Sequence, residues 1–412
     1  MINPRYLLFI LFIICPRAID AQFSMNEFLS QARNDVRLYE HDLKSSFLEK
    51  NPYRSPWIQR TELRLRTNDL NVSADDYRFR INPTNPFEIR ENKKYYKMEF
   101  EFLFTEYQKA LNAALNDRYQ LILDLMENHD MEILKNRQIS VIADEIRSLD
   151  AQTSDPDFNL SDYIEARENL LQTRLESNEI SHMIGMIKSE IEMKYSFTGD
   201  IFAGEIQLAD LQTIKIWLNT IFNDMDTTDN ILITSLQNKN LLSEQRINLE
   251  TAENRRNIGF IQAEYDRDRG NEMDEHVGFQ IGVRIPLTNP DRPDISRRKI
   301  DLIEDQAGLM EKKAEISLQG ELLGLKLDYL FSQYELIINE KNQNDFLRII
   351  SLSPDLTPYD LIKAQRSMIR LERIGIQIKW EIYRAYIDFL YYSGRLIHIP
   401  LKNYLSENLS EI

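Results

Sequence analysis

The sequence predicts a mainly α-helical protein with a small β part, built from two copies of one helix–hairpin–helix unit. Three observations lead to this fold class. Two long stretches carry apolar residues at alternating steps of three and four, which is the spacing of one helix face. Two shorter segments change to a period of two, which is typical of strands. Elements of the first half recur in the same order about 200 residues later, which indicates an internal duplication.

The composition excludes several classes of protein. The chain has 412 residues, of which 66 are acidic and 50 are basic, so that its formal charge is −16. This acidic balance disfavours nucleic-acid binding, which needs basic patches that neutralise phosphates, and no nucleic-acid partner is expected. A single cysteine cannot build a disulfide scaffold. Twelve glycines are few for an all-β sandwich or a glycine-looped nucleotide enzyme.

The start of the chain has the layout of a secretory signal peptide. Arg5 precedes an unbroken apolar run at residues 7–15, and the small residue Ala21 stands at the predicted cleavage site. The run is too short for a stable membrane anchor. We interpret Cys15 as part of the signal, because Ile14 stands where lipid attachment normally requires a small residue. We therefore expect this segment to be removed during export.

Two long segments carry the helical signature. Residues 87–155 contain neither glycine nor proline, and their apolar side chains recur every three or four positions, with Arg118 filling one slot of the stripe. Residues 294–353 contain no proline and follow the same rhythm. At ~1.5 Å per residue, about 60 helical residues reach roughly 90 Å. Helices of this length are typical of extended coiled-coil packing rather than of globular domains.

The duplication is clearest in the two returning helices. Residues 162–166 (DYIEA) align with residues 360–364 (DLIKA), and the three-four stripe continues in both copies. The segment 81–86 (INPTNP) aligns with 285–290 (IPLTNP) at nearly the same offset. Several matches in one order make a duplicated chain the expected architecture.

Each half contains a hairpin with one apolar and one polar face. In the second hairpin Phe279, Ile281 and Val283 alternate with Gln280 and Gly282. The polar face of the first hairpin is rich in arginine, at Arg60, Arg64, Arg66, Arg78 and Arg80. The pattern fits either an amphipathic hairpin on a soluble core or a membrane barrel with a wet lumen. The signal peptide and the long helices favour the barrel, since no later stretch is apolar enough for a transmembrane helix.

The whole chain after the signal resembles the TolC family of outer-membrane efflux proteins. The resemblance rests on the order and duplication of the elements and on the segments 285–290, 356–366 (LTPYDLIKAQR) and 383–396 (YRAYIDFLYYSGRL). It implies a homotrimer in outer-membrane lipid, with a trimeric α-helical coiled-coil barrel and a 12-stranded outer-membrane β-barrel to which each chain gives four strands. Four strands cannot close a barrel alone, and open strand edges cannot face lipid, so the trimer also agrees with physical expectation.

The elements and the resemblance together give the expected domain organisation. The chain is expected to begin with a signal peptide (1–21) and a first repeat (22–197), which contains a helix, a hairpin at about 57–82, a long helix at 87–150, a tip and a returning helix at 160–196. An equatorial connector and helix follow (198–257). The second repeat (258–396) contains a hairpin at about 259–286, a long helix at 294–350, a tip and a returning helix at 358–394, and a C-terminal tail (397–412) ends the chain.

The resemblance also implies roles for the helical ends furthest from the membrane. In the family these tips form the gated entrance and contact a periplasmic adaptor, the membrane fusion protein. Candidate adaptor contacts are Asp162, Ala166, Asp360 and Ala364. Each has a second interpretation, because a carboxylate at a helix start suits the helix dipole and a small residue suits close coiled-coil packing. Candidate acids of the periplasmic entrance, or alternatively solvated loop acids, are Asp150, Asp155, Asp157 and Asp355.

The predicted function is a passive trimeric duct of a tripartite efflux or export system, which connects to an inner-membrane pump through a periplasmic adaptor. It lies in the cell outer membrane and has a long periplasmic extension. We predict no enzyme activity, metal or cofactor, since the five histidines lack metal-ligand spacing and no phosphate loop or nucleophile elbow is present. The acidic composition predicts a lumen that favours cations. The alternative function is a non-channel coiled-coil scaffold or adaptor of the periplasm.

Overall fold

The structure is a computed structural model that describes most of the chain after the predicted signal peptide. The described residues are 25–51, 56–66, 76–153, 158–197, 208–223, 230–254, 258–267, 275–283, 292–343 and 358–412. The predicted signal peptide with Cys15, the aligned segment 285–290, and the candidate entrance acids Asp155, Asp157 and Asp355 lie outside them.

The described residues are mostly helical, and the predicted fold class, mainly α with a small β part, is confirmed. The helices are α1 (Met25–Ser30), α2 (Val36–Lys50), α3 (Pro86–Ala151), α4 (Leu160–Tyr195), α5 (Leu211–Asn223), α6 (Ile231–Asn254), α7 (Arg292–Gln343) and α8 (Pro358–Tyr392). Short 3-10 helices cover Gln31–Asn34 and Arg395–Ile397. The strands are β1 (Ile58–Arg66), β2 (Asp76–Pro83), β3 (Ile258–Arg267) and β4 (Glu275–Val283).

Local sequence signals set the ends of the long helices. Helix α3 begins at Pro86, a favourable first position because the amide donors of a first turn have no helical partner. The Asn85 side chain accepts a hydrogen bond from the Phe87 amide at 3.0 Å. Helix α4 follows Asn159, whose side chain accepts from the Ser161 amide at 3.0 Å. It ends at Tyr195, and the next residue, Ser196, adopts the left-handed conformation that commonly terminates helices.

The elements repeat in order, and the repeat includes a helix that lies within the predicted connector, residues 198–257. Helix α2, two strands, α3 and α4 are followed in the second half by α6, two strands, α7 and α8. Helix α6 therefore takes the place before its hairpin that α2 takes in the first half. Both hairpins also carry a register irregularity at the same point, Ile58/Arg60 in β1 and Ile258/Phe260 in β3.

The chain divides into two compact units. The first is drawn from Met1–Asp35, Leu111–Met225 and Leu318–Ile412, and the second from Val36–Ala110 and Asp226–Ser317. The core of the first unit contains large aromatic and aliphatic side chains that are almost wholly buried, among them Phe28, Leu115, Tyr119, Trp380, Tyr386 and Phe389. The second unit contains the whole described sheet.

Helix α3 packs against both returning helices in the first unit. Ala166 of α4 lies in a buried cluster with Ile142, Ile146 and Leu149 of α3. A second cluster joins other positions of α3 to α8, through Leu134, Val141, Ile362 and Ile369. The three-four stripe of α3 is therefore shared between two partner helices.

The last residues, 397–412, which were predicted to be a C-terminal tail, fold into the core of the first unit. Asn403 is only 1% exposed, and its amide donates to Asn26 Oδ1 at 2.8 Å. The Leu405 carbonyl accepts from the Ala209 amide at 2.8 Å, while Tyr404 is buried. Hydrogen bonds between distant segments hold this region, so apolar periodicity could not reveal it.

The four strands form one antiparallel sheet in chain order, β1-β2-β3-β4. The two hairpins thus lie side by side, joined where β2 pairs with β3. Leu63, Phe79, Ala263 and Phe279 occupy one cross-strand row, since each is in register with the next. The adjacent row on the other face contains Glu62, Arg80, Gln262 and Gln280.

Candidate functional site

The apolar face of the sheet is open to the surroundings. Phe279 is 79% exposed and Leu63 is 66% exposed, and Tyr77, Phe79 and Ile261 of the two central strands are exposed as well. These side chains form continuous rows across all four strands, because the register pairs them with one another. Such a contiguous apolar surface normally marks a site that contacts a lipid or a protein partner.

The polar face of the central strands is more buried than the apolar face. Gln262 is 5% exposed, and Arg78, Arg80 and Glu264 are partly buried. Arg78 forms an ion pair with Glu264 across the β2–β3 junction, and Gln262 donates to Gln280 at 3.3 Å. The sheet is therefore inverted relative to a soluble sheet, in which the apolar face is the buried one.

Phe260 departs from the simple alternation, because it lies at an even position of β3 together with the polar residues. The Arg80 guanidinium carbon lies 3.6 Å from the centroid of the Phe260 ring. A Cβ atom at Gly282, the register partner of Phe260, would collide with this ring. The glycine opposite an aromatic residue was the signal in the sequence that could have identified this contact.

The structure separates the candidate adaptor contacts by their exposure. Asp162 lies in the first turn of α4, where its carboxylate accepts from Asn159 Nδ2 at 3.1 Å. Ala166 is 1% exposed within the α3–α4 cluster, so it packs inside the chain. Ala364 is half-buried on α8. Asp360 lies in the first turn of α8.

Only one of the candidate entrance acids lies within the described residues. Asp150 is exposed near the end of α3, and its Oδ2 lies 3.9 Å from Arg167 Nη2 of α4. Asp155, Asp157 and Asp355 lie outside the described part of the chain. An acidic entrance ring therefore stays a prediction.

Ion pairs connect the long helices of the first unit. Lys135 of α3 is buried and forms an ion pair with Glu176 of α4, and this hydrogen bond lowers the pKa of the Glu176 carboxyl. On the α8 side, Arg384 pairs with Asp124 at 2.6 Å and with Glu127. These charges fix the helices beside α3 along their length.

Asp388 of α8 is a partly buried carboxyl at the same seam. Gln120 Nε2 donates to Asp388 Oδ1 at 2.9 Å. Burial raises the pKa of this carboxyl, and the nearby cations Lys326 and Arg384 oppose that rise. The side chain therefore belongs to the structural core of the first unit.

The described part of the chain shows neither a membrane-crossing helix nor a metal centre. None of its helices combines the length and the hydropathy needed to span a bilayer. Its His, Cys, Asp and Glu side chains include no group of three or more placed to hold a metal ion.

In fold the chain is similar to solved outer-membrane channels. CusC, which forms a transmembrane channel, matches with a TM-score of 0.61 and 10% identity over 92% of this chain and 94% of CusC. The outer-membrane protein VceC of Vibrio cholerae matches with a TM-score of 0.58 and 11% identity over 90% of this chain and 96% of VceC. The open state of the MtrE channel of Neisseria gonorrhoeae matches with a TM-score of 0.61 and 10% identity over 94% of this chain and 90% of MtrE.

The comparisons confirm the resemblance to the TolC family at the level of the fold. The match extends over almost the full length of each channel, so the likeness concerns the entire architecture and not one helical hairpin. No protein-family model matches the sequence, and no curated protein sequence matches it either.

Proposed function

We propose that this chain is the outer-membrane channel of a tripartite efflux or export system. Three copies form a passive duct through which solutes diffuse, and the duct performs no catalysis and needs no cofactor. The proposal is supported by the fold, which the chain shares with outer-membrane channels over about nine-tenths of its length.

The observation that carries the proposal is the inverted sheet. Its apolar rows are exposed, while the polar side chains of its central strands are partly or wholly buried. In water the exposed rows are unfavourable by about 25 cal/mol per Å² of apolar surface, whereas against lipid tails they are stabilised. A lumen filled with water accounts equally well for the polar face.

Trimer formation follows from the edges of the sheet. Strands β1 and β4 are its outer strands, and their unpaired backbone groups cannot face lipid without a partner. Three copies placed edge to edge give 12 strands, an even number within the range of outer-membrane barrels. The duplicated halves then alternate around the ring as six similar units.

The proposed partners are a periplasmic adaptor and an inner-membrane pump. The duct has no energy source of its own in this proposal, so the pump supplies the energy. The adaptor binds at the helical tips, where Asp162, Asp360 and Ala364 are the candidate contacts, and buried Ala166 supports the tip from within the α3–α4 cluster. The chain is exported by its signal peptide and lies in the outer membrane with a long periplasmic extension.

The test is to extract the protein from the envelope of its own cells and to reconstitute it in a planar bilayer. The proposal expects extraction only with detergent, a particle of three subunits, and discrete current steps. Release by salt or osmotic shock alone, together with a reconstituted sample that carries no current, would favour the periplasmic scaffold instead. If the membrane-embedded trimer carries no current, the measurement is repeated with the triple variant D155N/D157N/D355N. This variant should carry current if the acidic side chains close the entrance.

A further inference from the structure

The polar face of the sheet carries a positive charge that contrasts with the acidic chain. Three cross-strand rows lie away from the hairpin turns, and they contain four arginines, Arg60, Arg64, Arg78 and Arg80. The same rows contain two carboxylates, Glu62 and Glu264, which leaves two positive charges per chain in these rows. The row next to the turns adds Arg66, Asp76 and Asp266, so the whole polar face retains one excess positive charge. The whole chain has a formal charge of −16, so this face is a basic exception.

The charge is segregated between the two hairpins. All four of these arginines belong to β1 and β2. The polar face of β3 and β4 offers Gln262, Glu264, Gln280 and the glycines Gly278 and Gly282 in the same rows. Because the hairpins are products of one duplication, the arginines are a property of the first copy and not of the strand pattern itself.

The arginines are only partly neutralised by the two carboxylates. Glu62 is shared by two cations, with Arg60 Nη2 at 3.0 Å and Arg64 Nη2 at 3.5 Å. Glu264 pairs with Arg78, whose Nη2 also lies 3.8 Å from Asp76 Oδ2. Arg80 forms no ion pair with any carboxylate in the described part of the chain.

Arg80 is held in position without a counter-charge. Its guanidinium stacks on the Phe260 ring, which has room because Gly282 carries no side chain. Its Nε atom is buried and lacks a hydrogen-bond partner, as does Nε of Arg78. A stacked guanidinium keeps its charge and its remaining donors available for another anion.

We propose that this arginine-rich face selects anionic solutes, and the proposal rests on the duct described above. Rings of Arg or Lys side chains are how pores favour anions, and a narrow channel with low-dielectric walls strengthens their field. In a trimer these three rows carry six excess positive charges around one lumen, and the row next to the turns reduces the excess of the whole face to three. The acidic composition, which predicts a lumen that favours cations, does not describe this segment.

The test compares the wild type with two double variants in planar bilayers under a tenfold KCl gradient. R64Q/R80Q removes the two excess charges of these rows in each chain while Arg60 and Arg78 continue to pair with Glu62 and Glu264. R64K/R80K keeps the charge and serves as the matched control. The permeability ratio of chloride to potassium is expected to fall by about threefold or more in R64Q/R80Q and to stay near the wild-type value in R64K/R80K.

A second measurement applies whether or not the reconstituted channel is open. Titration calorimetry of the detergent-purified trimer with inorganic triphosphate is expected to show binding by the wild type and by R64K/R80K. The affinity of R64Q/R80Q for triphosphate should be lower by about fivefold or more, because two cations per chain are lost. Equal permeability ratios in all three proteins overturn the anion filter but leave the duct intact. If the reconstituted channel carries no current, a wild-type trimer that binds no triphosphate also overturns the anion filter. Protein that neither inserts into membranes nor forms trimers contradicts the proposed function itself.

Discussion

Arg118 and Asp35 form a buried ion pair in the core of the first unit. Arg118 Nη1 donates to Asp35 Oδ2 at 2.9 Å, and the two side chains are 2% and 8% exposed. Arg118 also donates to the carbonyls of Gln31 and Ala114, and its guanidinium lies 4.3 Å from the centroid of the Tyr195 ring. The arginine that interrupts the apolar stripe of α3 thus attaches the N-terminal segment to it.

Removing one partner of this pair should destabilise the protein strongly. Arg118→Met leaves the Asp35 carboxylate buried without its cation, and breaking a buried pair in this way costs about 3–5 kcal/mol. The measurement is the thermal unfolding midpoint of the detergent-purified protein. The double variant R118M/D35N, which removes both charges, should recover much of the loss. If Arg118→Met alone has the same unfolding midpoint as the wild type, the ion pair contributes little to stability.

The Lys135–Glu176 pair predicts a pH dependence of stability. The hydrogen bond from Lys135 lowers the folded-state pKa of Glu176 below its usual value of 4.5. The pair therefore stabilises the fold fully above the unfolded pKa and loses this effect as pH falls through the folded pKa. Glu176→Gln should cost about 1–3 kcal/mol at pH 7, because buried Lys135 loses its counter-charge.

The Lys135–Glu176 pair predicts that the stability difference between the wild type and Glu176→Gln becomes smaller as the pH is lowered. The gap in unfolding midpoint between wild type and Glu176→Gln should be largest at neutral pH and should narrow as the pH falls below 4.5. Glu190→Gln is the matched control on the same helix, because Glu190 forms an exposed pair with Lys194 at 3.2 Å. Its cost should not exceed about 0.5 kcal/mol. A gap that is independent of pH would contradict the assignment.

The two alanines at the tip should respond differently to enlargement. Ala166→Leu forces extra volume into the cluster of Ile142, Ile146 and Leu149 and should cost about 1–3 kcal/mol of stability. Ala364→Leu, at a half-buried position, should change the melting temperature little. If Ala364 contacts an adaptor, Ala364→Leu should weaken that contact. Chemical cross-linking in native cells should then yield less periplasmic partner per trimer with the variant than with the wild type. Normal recovery with Ala364→Leu would remove this residue from the proposed contact.

Asn403 should prove essential for the packing of the final segment. Its Nδ2 donates to Asn26 Oδ1, and its Oδ1 accepts from the Leu405 amide at 3.0 Å, in a site that is nearly closed to water. Asn403→Ala removes both hydrogen bonds and leaves the buried Leu405 amide without its acceptor, which should cost about 1–3 kcal/mol. Limited proteolysis should then cleave near the C-terminus faster than in the wild type. The exposed substitution Glu407→Ala is the control and should leave the cleavage rate unchanged.

The sequence predicted the features that depend on local periodicity. The helix predicted at 87–150 is observed as Pro86–Ala151, because an uninterrupted stripe over so many turns has no other regular structure. Strict alternation likewise placed Phe279 and Ile281 on one face of the sheet. The duplication then predicted that both halves share these elements.

Contacts between distant parts of the chain could not be predicted in the same way. Arg118 and Asp35 are 83 positions apart, and nothing in the spacing of either segment indicates the other. The partial burial of Arg78 and the stacking of Arg80 on Phe260 depend on how β2 pairs with β3. Helix α6 was missed as a repeat element because its sequence carries few of the matches that identify the other copies.

The two faces of β4 allow the membrane contact to be tested at neighbouring positions. Phe279 lies on the exposed apolar face and Gln280 on the opposite, polar face. If the apolar face contacts lipid, Phe279→Lys places a charge in hydrocarbon at a cost of about 2–4 kcal/mol per chain. The variant should yield fewer membrane-extracted trimers than the wild type. Gln280→Lys adds the same charge on the polar face and should assemble normally, because water solvates it there. Equal trimer yields from the two variants would show that β4 does not face lipid.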